Sequence, residues 1–300
     1  MTDTSPQLSS GMIGLGNMGG RIARRIRDGD LPIRGFDVSE EQAAGSGVDP
    51  VRSVAALAEA VDVVFLSLPD SSVIESVVFD EGGLASSVRS GQVVVDLSTA
   101  SPSSSVRIHD RLAEAGAAFL DAGISGGAAA AEKGALTLMV GGDASVLDRI
   151  RPILQTFSTG VHHMGVPGSG HTAKVLNNFL NGVNLAATAE VMVAAKQAGL
   201  DLAQFLEVVN TSSGVNFATL NRFPRIVDGD YLEGGLTSRL MAKDIRLYLE
   251  FLQEVSVTSF CGPACLGAFN LATALGYGDQ ISNRVVDAIG DVAGGVRIQR

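Results

Sequence analysis

The stretch "MIGLGNMGGRIARRI", residues 12–26, sets Gly14, Gly16 and Gly19 in G-x-G-x-x-G spacing between an apolar run and a segment of helical period. A strand that turns at once into a helix needs main chain that no side chain obstructs. The first glycine permits the tight turn, the second lets an incoming group reach the backbone, and the third lets helix and strand pack closely. The unpaired N–H groups that open such a helix, together with its dipole, suit a pyrophosphate. The motif alone is a weak signal. Its place between a strand and a helix, near the start of the chain, makes it the first turn of a βαβ dinucleotide-binding unit. Gly14, Leu15, Gly16, Asn17, Met18 and Gly19 are therefore the candidate phosphate turn. A second strand, "IRGFD", ends at Asp37, about 20 residues on, where a carboxylate suits a ribose 2′-hydroxyl and repels a 2′-phosphate. No arginine follows in "DVSEEQ" and two glutamates do, so the residues favour NAD while leaving NADP possible.

The same alternation continues to about Gly165. Strand candidates are "GMIGL", "IRGFD", "DVVFLSL", "QVVVDL", "AAFLDA", "ALTLMV" and "VHHMG". Short β-branched runs separated by helical segments predict a parallel α/β sheet of Rossmann type. Beyond Pro167 no clear strand is legible, and helical patterns follow at 170–198, about 201–210, 238–255, 263–275 and 280–290. The glycines and proline of "GVPGSG" mark the joint. The expected organisation is a disordered tail over 1–10, a dinucleotide-binding domain over 11–167 and an all-helical domain over 168–300, joined by a long helix.

Composition narrows the function classes. Hydrophobic residues make up 46% and charged residues 18%, enough to build a core. The net charge of −10 argues against a nucleic-acid backbone or an anionic membrane surface as partner. The apolar runs are of strand length, too short to span a bilayer, and the start lacks the pattern of a secretory signal. Cys261 and Cys265, in "CGPAC", match neither a redox nor a zinc spacing and read as two reduced thiols near a helix start. A cytoplasmic location is the default expectation. No His, Asp or Glu set has a metal-ligating spacing; His162 and His163 point to opposite faces of a strand.

The segment "SGHTAKVLNNFL" (169–180) is the other unusual stretch. At about 100° per residue, His171, Lys174, Asn177, Asn178, Asn181 and Asn184 fall in one wedge about 140° wide, with Leu176, Phe179, Leu180 and Val183 opposite. Solvent faces of helices favour Lys, Glu and Arg over Asn, yet Lys174 is the only formally charged side chain from 171 to 189. A cleft lined with amides fits better. Other candidate ligand groups lie at strand ends, where open α/β sheets bind ligands: Ser98 and Thr99 in "DLSTASP", and Ser125, Gly126 and Gly127 in "ISGG". A hydroxyl beside two unobstructed N–H groups suits a carboxylate. No G-x-S-x-G elbow surrounds Ser125, which disfavours it as a nucleophile.

Four stretches, in order, resemble the β-hydroxyacid dehydrogenases, the family of 3-hydroxyisobutyrate dehydrogenase and tartronate semialdehyde reductase. "GLGNMG" resembles its cofactor turn, "DAGISGGAAAAEKGALTLMVGG" its substrate motif, "GSGHTAKVLNNFL" its G-x-G-x-x-x-K-x-x-N-N catalytic motif, and "LMAKDIRLYLE" its later K-D-L motif. The resemblance implies a Rossmann-type domain followed by a helical domain, as in 6-phosphogluconate dehydrogenase, and assembly as homodimers or homotetramers. It implies reversible NAD(P)-linked oxidation of a small β-hydroxy acid, with a 3-hydroxyisobutyrate-like substrate favoured. A sugar-derived acid such as threonate, or a sulfonate analogue, is the alternative. Lys174 is then the general acid/base and Asn178 its partner. Ser125, Gly126 and Gly127 hold the substrate carboxylate, and Leu68, Pro69, Thr99 and Lys243 line the cofactor. Asp244 is expected to orient Lys243, and His171 is a weaker acid/base candidate. One departure stands out: Gly123 occupies the place of the family proline, which implies a less rigid turn. Rival readings are an imine reductase, whose members generally lack the lysine, and a non-catalytic NAD-binding scaffold.

Overall fold

A computed structural model describes residues 7–299. The chain divides into two compact units, Met1–Lys174 and Val175–Arg300, so the division falls within the long helix Ser169–Gln197. Residues 1–6 of the expected tail lie outside the described residues. Ser10, its last residue, is buried and opens the first strand.

The first unit is built on one eight-stranded sheet. Its strands are β1 (Ser10–Ile13), β2 (Ile33–Phe36), β3 (Asp49–Pro50), β4 (Val63–Leu66), β5 (Val93–Asp96), β6 (Ala118–Ser125), β7 (Leu136–Gly141) and β8 (Ser158–Gly165), in spatial order β3-β2-β1-β4-β5-β6-β7-β8. The order reverses between β1 and β4, the switch point at which doubly wound sheets open a crevice for ligands. The central strands are buried on both faces. In β4, Val63 and Phe65 join one core with Met12, Ile22 and Ile26, while Val64 and Leu66 join another with Leu57, Ile74 and Phe119. That two-sided burial is why these strands read as continuous apolar runs rather than as alternation.

Two departures from the sequence reading have simple causes. The sheet is not wholly parallel, because β6 and β7 pair antiparallel, Asp121 opposite Gly141 through Ser125 opposite Thr137. The 126–135 connection, with its short helix Gly127–Glu132, is briefer than the dozen or more residues a parallel crossover usually needs. Strand β3 is a two-residue ladder, too short for any periodicity to reveal.

The second unit is helical among the described residues. Leu185, Ala189, Met192 and Val193 of the long helix share a core with Phe223, Ile226, Met241, Ile245, Phe269 and Val285. Helices Leu202–Asn210, Ser238–Glu254, Gly262–Ala272 and Val285–Val292 match the sequence expectation, while Phe217–Asn221 and Phe223–Val227 are additional. Cys265 is buried and Cys261 exposed at the start of Gly262–Ala272, both as free thiols.

Candidate active site

The glycine turn follows the division of labour that its spacing implies. Gly14 has φ +89, and a Cβ there would lie 2.3 Å from the Ser67 carbonyl oxygen. A Cβ on Gly19 would lie 1.9 Å from the Gly14 carbonyl oxygen. At Gly16, by contrast, an added Cβ meets nothing within 4 Å. Two glycines are thus demanded by the protein itself, and the third leaves space over the backbone. The helix Gly19–Asp28 begins without a side-chain cap and without an acidic residue in its first turn, so no side chain of that turn competes with an anion there, although the Gly20 N–H already donates to the Gly16 carbonyl at 3.0 Å. Leu15 is a core residue, 2% exposed, so only its backbone serves the turn: its N–H donates to Asp37 Oδ2 at 2.7 Å. The other Asp37 oxygen accepts from Ser39 N–H at 2.8 Å. Asp37 therefore braces the glycine turn from the end of β2. Met18 occupies the N-cap position, and Asn17 receives hydrogen bonds from Arg21 through its backbone and side-chain oxygens. The residues present fit a dinucleotide.

Ser98 ties two strand ends together. Its Oγ accepts from Leu68 N–H at 2.9 Å, and its own N–H donates to Asp96 Oδ1 at 3.0 Å. Leu68 and Pro69 are thereby fixed after β4, with Thr99 next in line after β5. The following helix, Pro102–Ala113, takes its cap from Ser101 rather than Ser98.

The start of the long helix is docked onto β6 and β7 with almost no clearance. Asp121, wholly buried, accepts Gly168 N–H on Oδ1 and His171 N–H on Oδ2, each at 2.7 Å. It thus satisfies two of the donors that a helix start leaves open. A Cβ on Gly170 would lie 2.3 Å from the Asp121 carbonyl oxygen and 2.4 Å from that of Met139. A Cβ on Gly123 would come within 2.4 Å of Lys174 Cβ. The expectation about Gly123 is corrected here. It lies inside β6, paired with Met139, not in a loosened turn, and its missing side chain admits the stem of Lys174.

Gly123 and Ser125 are two apart on β6, and residues so spaced share one face of a sheet. Lys174, only 8% exposed, is packed on that face. After Ser125 the chain turns through Gly126 (φ +127) and Gly127 (φ +69), conformations that side chains resist. Gly127 faces open space.

In the second unit, Asn178 is 5% exposed and donates from Nδ2 to Asp244 Oδ2 at 2.6 Å. Lys243 Nζ lies 3.1 Å from Asp244 Oδ1. One buried carboxylate thus holds two of the expected site residues. Its tie to Lys243 follows the sequence reading, whereas its hold on Asn178 was not legible. Asp121 was missed as well; its only signal was its place at the head of "DAGISGG". Within the polar wedge Lys174 and Asn178 are covered while Asn177 is exposed, and on the opposite side Leu176 and Leu180 are 40% and 58% exposed while Phe179 and Val183 pack against the core.

Residues 9–165 match the family described as the NAD binding domain of 6-phosphogluconate dehydrogenase. Residues 168–289 match the family described as NAD-binding of NADP-dependent 3-hydroxyisobutyrate dehydrogenase. The chain is 33% identical over 280 residues to 2-(hydroxymethyl)glutarate dehydrogenase of Eubacterium barkeri, covering 92% of this chain and 93% of that protein. It is 34% identical over 278 residues to NAD-dependent L-serine dehydrogenase of Pseudomonas aeruginosa, covering 89% and 93%. Among solved structures, Mycobacterium tuberculosis 3-hydroxyisobutyrate dehydrogenase with L-serine superposes with a TM-score of 0.84 at 28% identity, covering 93% of this chain and 98% of that one.

Proposed function

The chain belongs to the β-hydroxyacid dehydrogenase family, an NAD(P)-dependent oxidoreductase acting on a hydroxyl group, and from that premise we propose how its own residues divide the work. One observation carries the reading: Lys174 is buried against Gly123, on the face of β6 that also bears Ser125. A proton-transferring amine and a carboxylate clamp therefore share one surface.

The substrate carboxylate is held by the Ser125 hydroxyl and the main-chain N–H groups of Gly126 and Gly127; Gly126 is packed against Ala130 and Leu136, so the open approach is over Gly127. That anchors the acid and leaves its hydroxyl-bearing carbon free. The cofactor held by the glycine turn would supply the hydride acceptor for that carbon. Lys174 in its neutral form takes the hydroxyl proton, and in the reverse direction returns it. Asn178, one helical turn on, orients the substrate through its amide oxygen, the amide nitrogen being engaged by Asp244. Gly14 to Gly19 receive the pyrophosphate and Asp37 the adenosine ribose, which favours NAD over NADP. Leu68, Pro69, Ser98, Thr99 and Lys243 line the remainder of the cofactor site.

A 3-hydroxyisobutyrate-like acid is the favoured substrate, with hydroxy acids such as threonate, or a sulfonate analogue, as the alternative. The retained lysine weighs against an imine reductase. Exposed Leu176 and Leu180 support self-association, as a homodimer or homotetramer, because leucines spaced one turn apart in water form an apolar stripe. Among the described residues no helix is long and apolar enough to cross a membrane. The free thiols Cys261 and Cys265 support a cytoplasmic location.

The test is Lys174→Ala, assayed over a panel of small 2- and 3-hydroxy acids with NAD and with NADP. Turnover should fall by about 10²- to 10⁴-fold, the range for a lost acid/base group, with folding and NAD affinity retained. Undiminished turnover overturns the mechanism, and strong preference for NADP overturns the role of Asp37.

A further inference from the structure

Beneath Lys174, at the start of its helix, lies a buried polar cluster that the reaction above does not use. His171 is one turn before Lys174 and wholly buried. Its Nδ1 lies 2.6 Å from Ser105 Oγ on the helix Pro102–Ala113. Its Nε2 has no hydrogen-bond partner and stands 4.0 Å from Asp96 Oδ2, which has none either. Asp96 is fully buried at the end of β5. Two polar atoms left unsatisfied and facing each other in a dry interior call for a chemical explanation.

The hydroxyl of Ser105 supplies it. Ser105 Oγ donates to the Ser101 carbonyl at 3.1 Å, the usual back-bond of a helical serine to the residue four before it. A hydroxyl has one proton; with that bond kept, this oxygen accepts toward His171 and Nδ1 carries the hydrogen, the tautomer on which the inference below rests. A neutral ring would then aim the bare lone pair of Nε2 at a carboxylate oxygen. One extra proton removes the conflict. It makes either an imidazolium facing a carboxylate or a neutral ring facing a carboxylic acid, and in both cases the pair bears no net charge. Burial acts in the same sense, since it pushes the Asp96 carboxyl above its ordinary range, with His171 pulling it back.

We infer that His171 and Asp96 retain a shared proton and, with Ser105, act as a positioning device for Lys174, fixing the first turn of its helix and cancelling the negative charge of β5 beneath it. The inference rests on Lys174 being the acid/base group proposed above. A net negative charge one turn away would favour the ammonium form of a lysine, and the base must be neutral. The titratable groups facing His171 are Asp96 from β5, Asp121 from β6 and Lys174 on its own helix; the helix Pro102–Ala113 contributes the Ser105 hydroxyl. Asp121 sits opposite Asp96 in the strand register, with its two oxygens already engaged by helix N–H groups. That leaves Asp96 as the carboxylate to be neutralised.

Two measurements on the full chain test this. Nitrogen-15 NMR of the histidine side chains, with the His171 signals assigned by their loss in His171→Phe, should show Nδ1 protonated from about pH 6 to about pH 9. A bare Nδ1 with the proton on Nε2 overturns the inference, whatever the substrate proves to be. The second is the pH dependence of kcat at saturating hydroxy acid and NAD. His171→Phe should move the acidic limb upward by about one pH unit, about a tenfold loss on that limb, with KM for NAD unchanged. Adding Asp96→Asn should move the limb back. A merely structural role predicts lower activity with no shift and no recovery, and either result overturns the inference. If no hydroxy acid turns over at all, the proposed function fails, while the ring-nitrogen result still decides where the proton lies.

Discussion

The cofactor turn and the start of the long helix are both glycine-rich, yet their glycines serve opposite ends. At Gly16 the absent side chain leaves empty space, a vacancy kept for a visitor. At Gly123 and Gly170 the space is already filled, by the stem of Lys174 and by the carbonyl oxygens of Asp121 and Met139. The first region is open so that something can bind. The second is closed so that something already present cannot move. The two cases are indistinguishable from composition and separable only by what each absent Cβ would meet.

The comparison can be broken by adding the missing atoms. The largest effect is expected at Gly170→Ala, where a methyl would run into rigid main chain on two strands. Urea unfolding followed by circular dichroism should register a loss of about 3 kcal/mol, and activity should fall with it. Gly16→Val should do the reverse, leaving the unfolding free energy within about 1 kcal/mol of wild type while raising KM for NAD at least about tenfold, equivalent to about 1.4 kcal/mol of binding. A lost fold at Gly16→Val would show that the open space is structural after all. Gly123→Ala should fall between them: a modest stability loss of about 1 kcal/mol and a decrease in kcat of about 10- to 100-fold, because the lysine stem is displaced. Equal losses in kcat and NAD affinity would mean that the methyl disturbs more than Lys174.

The smallest effect sharpens the closed region. Burial raises the Asp96 carboxyl above the ordinary carboxylate range. The native protein therefore holds that proton more tightly than the unfolded chain. Its contribution to stability is full at low pH and is lost as pH rises through the folded-state value. The unfolding free energy of wild type minus that of Asp96→Asn should accordingly decline as pH rises above about 4. A flat difference would remove Asp96 from the account.

Much of this was legible in the sequence because it is local. The glycine turn, Asp37 at the end of β2, the seven longer strands and the change to helices after Pro167 all follow from short-range spacing. The family resemblance supplied roles for Lys174, Asn178 and Ser125. Other features depend on contacts between distant residues and carry no local signature. Asp121 accepts from Gly168, 47 residues later, at the start of the long helix. Asp244 reaches Asn178 across 66 residues. Periodicity gathered Lys174 and the asparagines of the long helix into one wedge, with Leu185 also inside it, but it cannot say which side faces inward. Here Lys174 and Asn178 are covered and Leu180 is in solvent. The antiparallel β7 was within reach of the sequence, since the 126–135 connection is simply too short for a crossover.

That reversal of β7 and β8 has a consequence for where an amine can be delivered. In an all-parallel sheet each strand finishes at the ligand-binding edge, and the helix that follows runs away from it. A side chain two turns into such a helix is already receding from the chemistry. Because β8 runs the other way, it ends at Gly165 opposite Gly141, beside Asp121. The next helix sets off from the Asp121 level of β6 and climbs alongside it to Gly123, two residues short of Ser125. The lysine arrives at the working edge from below, carried on a rigid rod rather than on a loop. Loops after β1, β4 and β5 can therefore change without altering the aim of the proposed base.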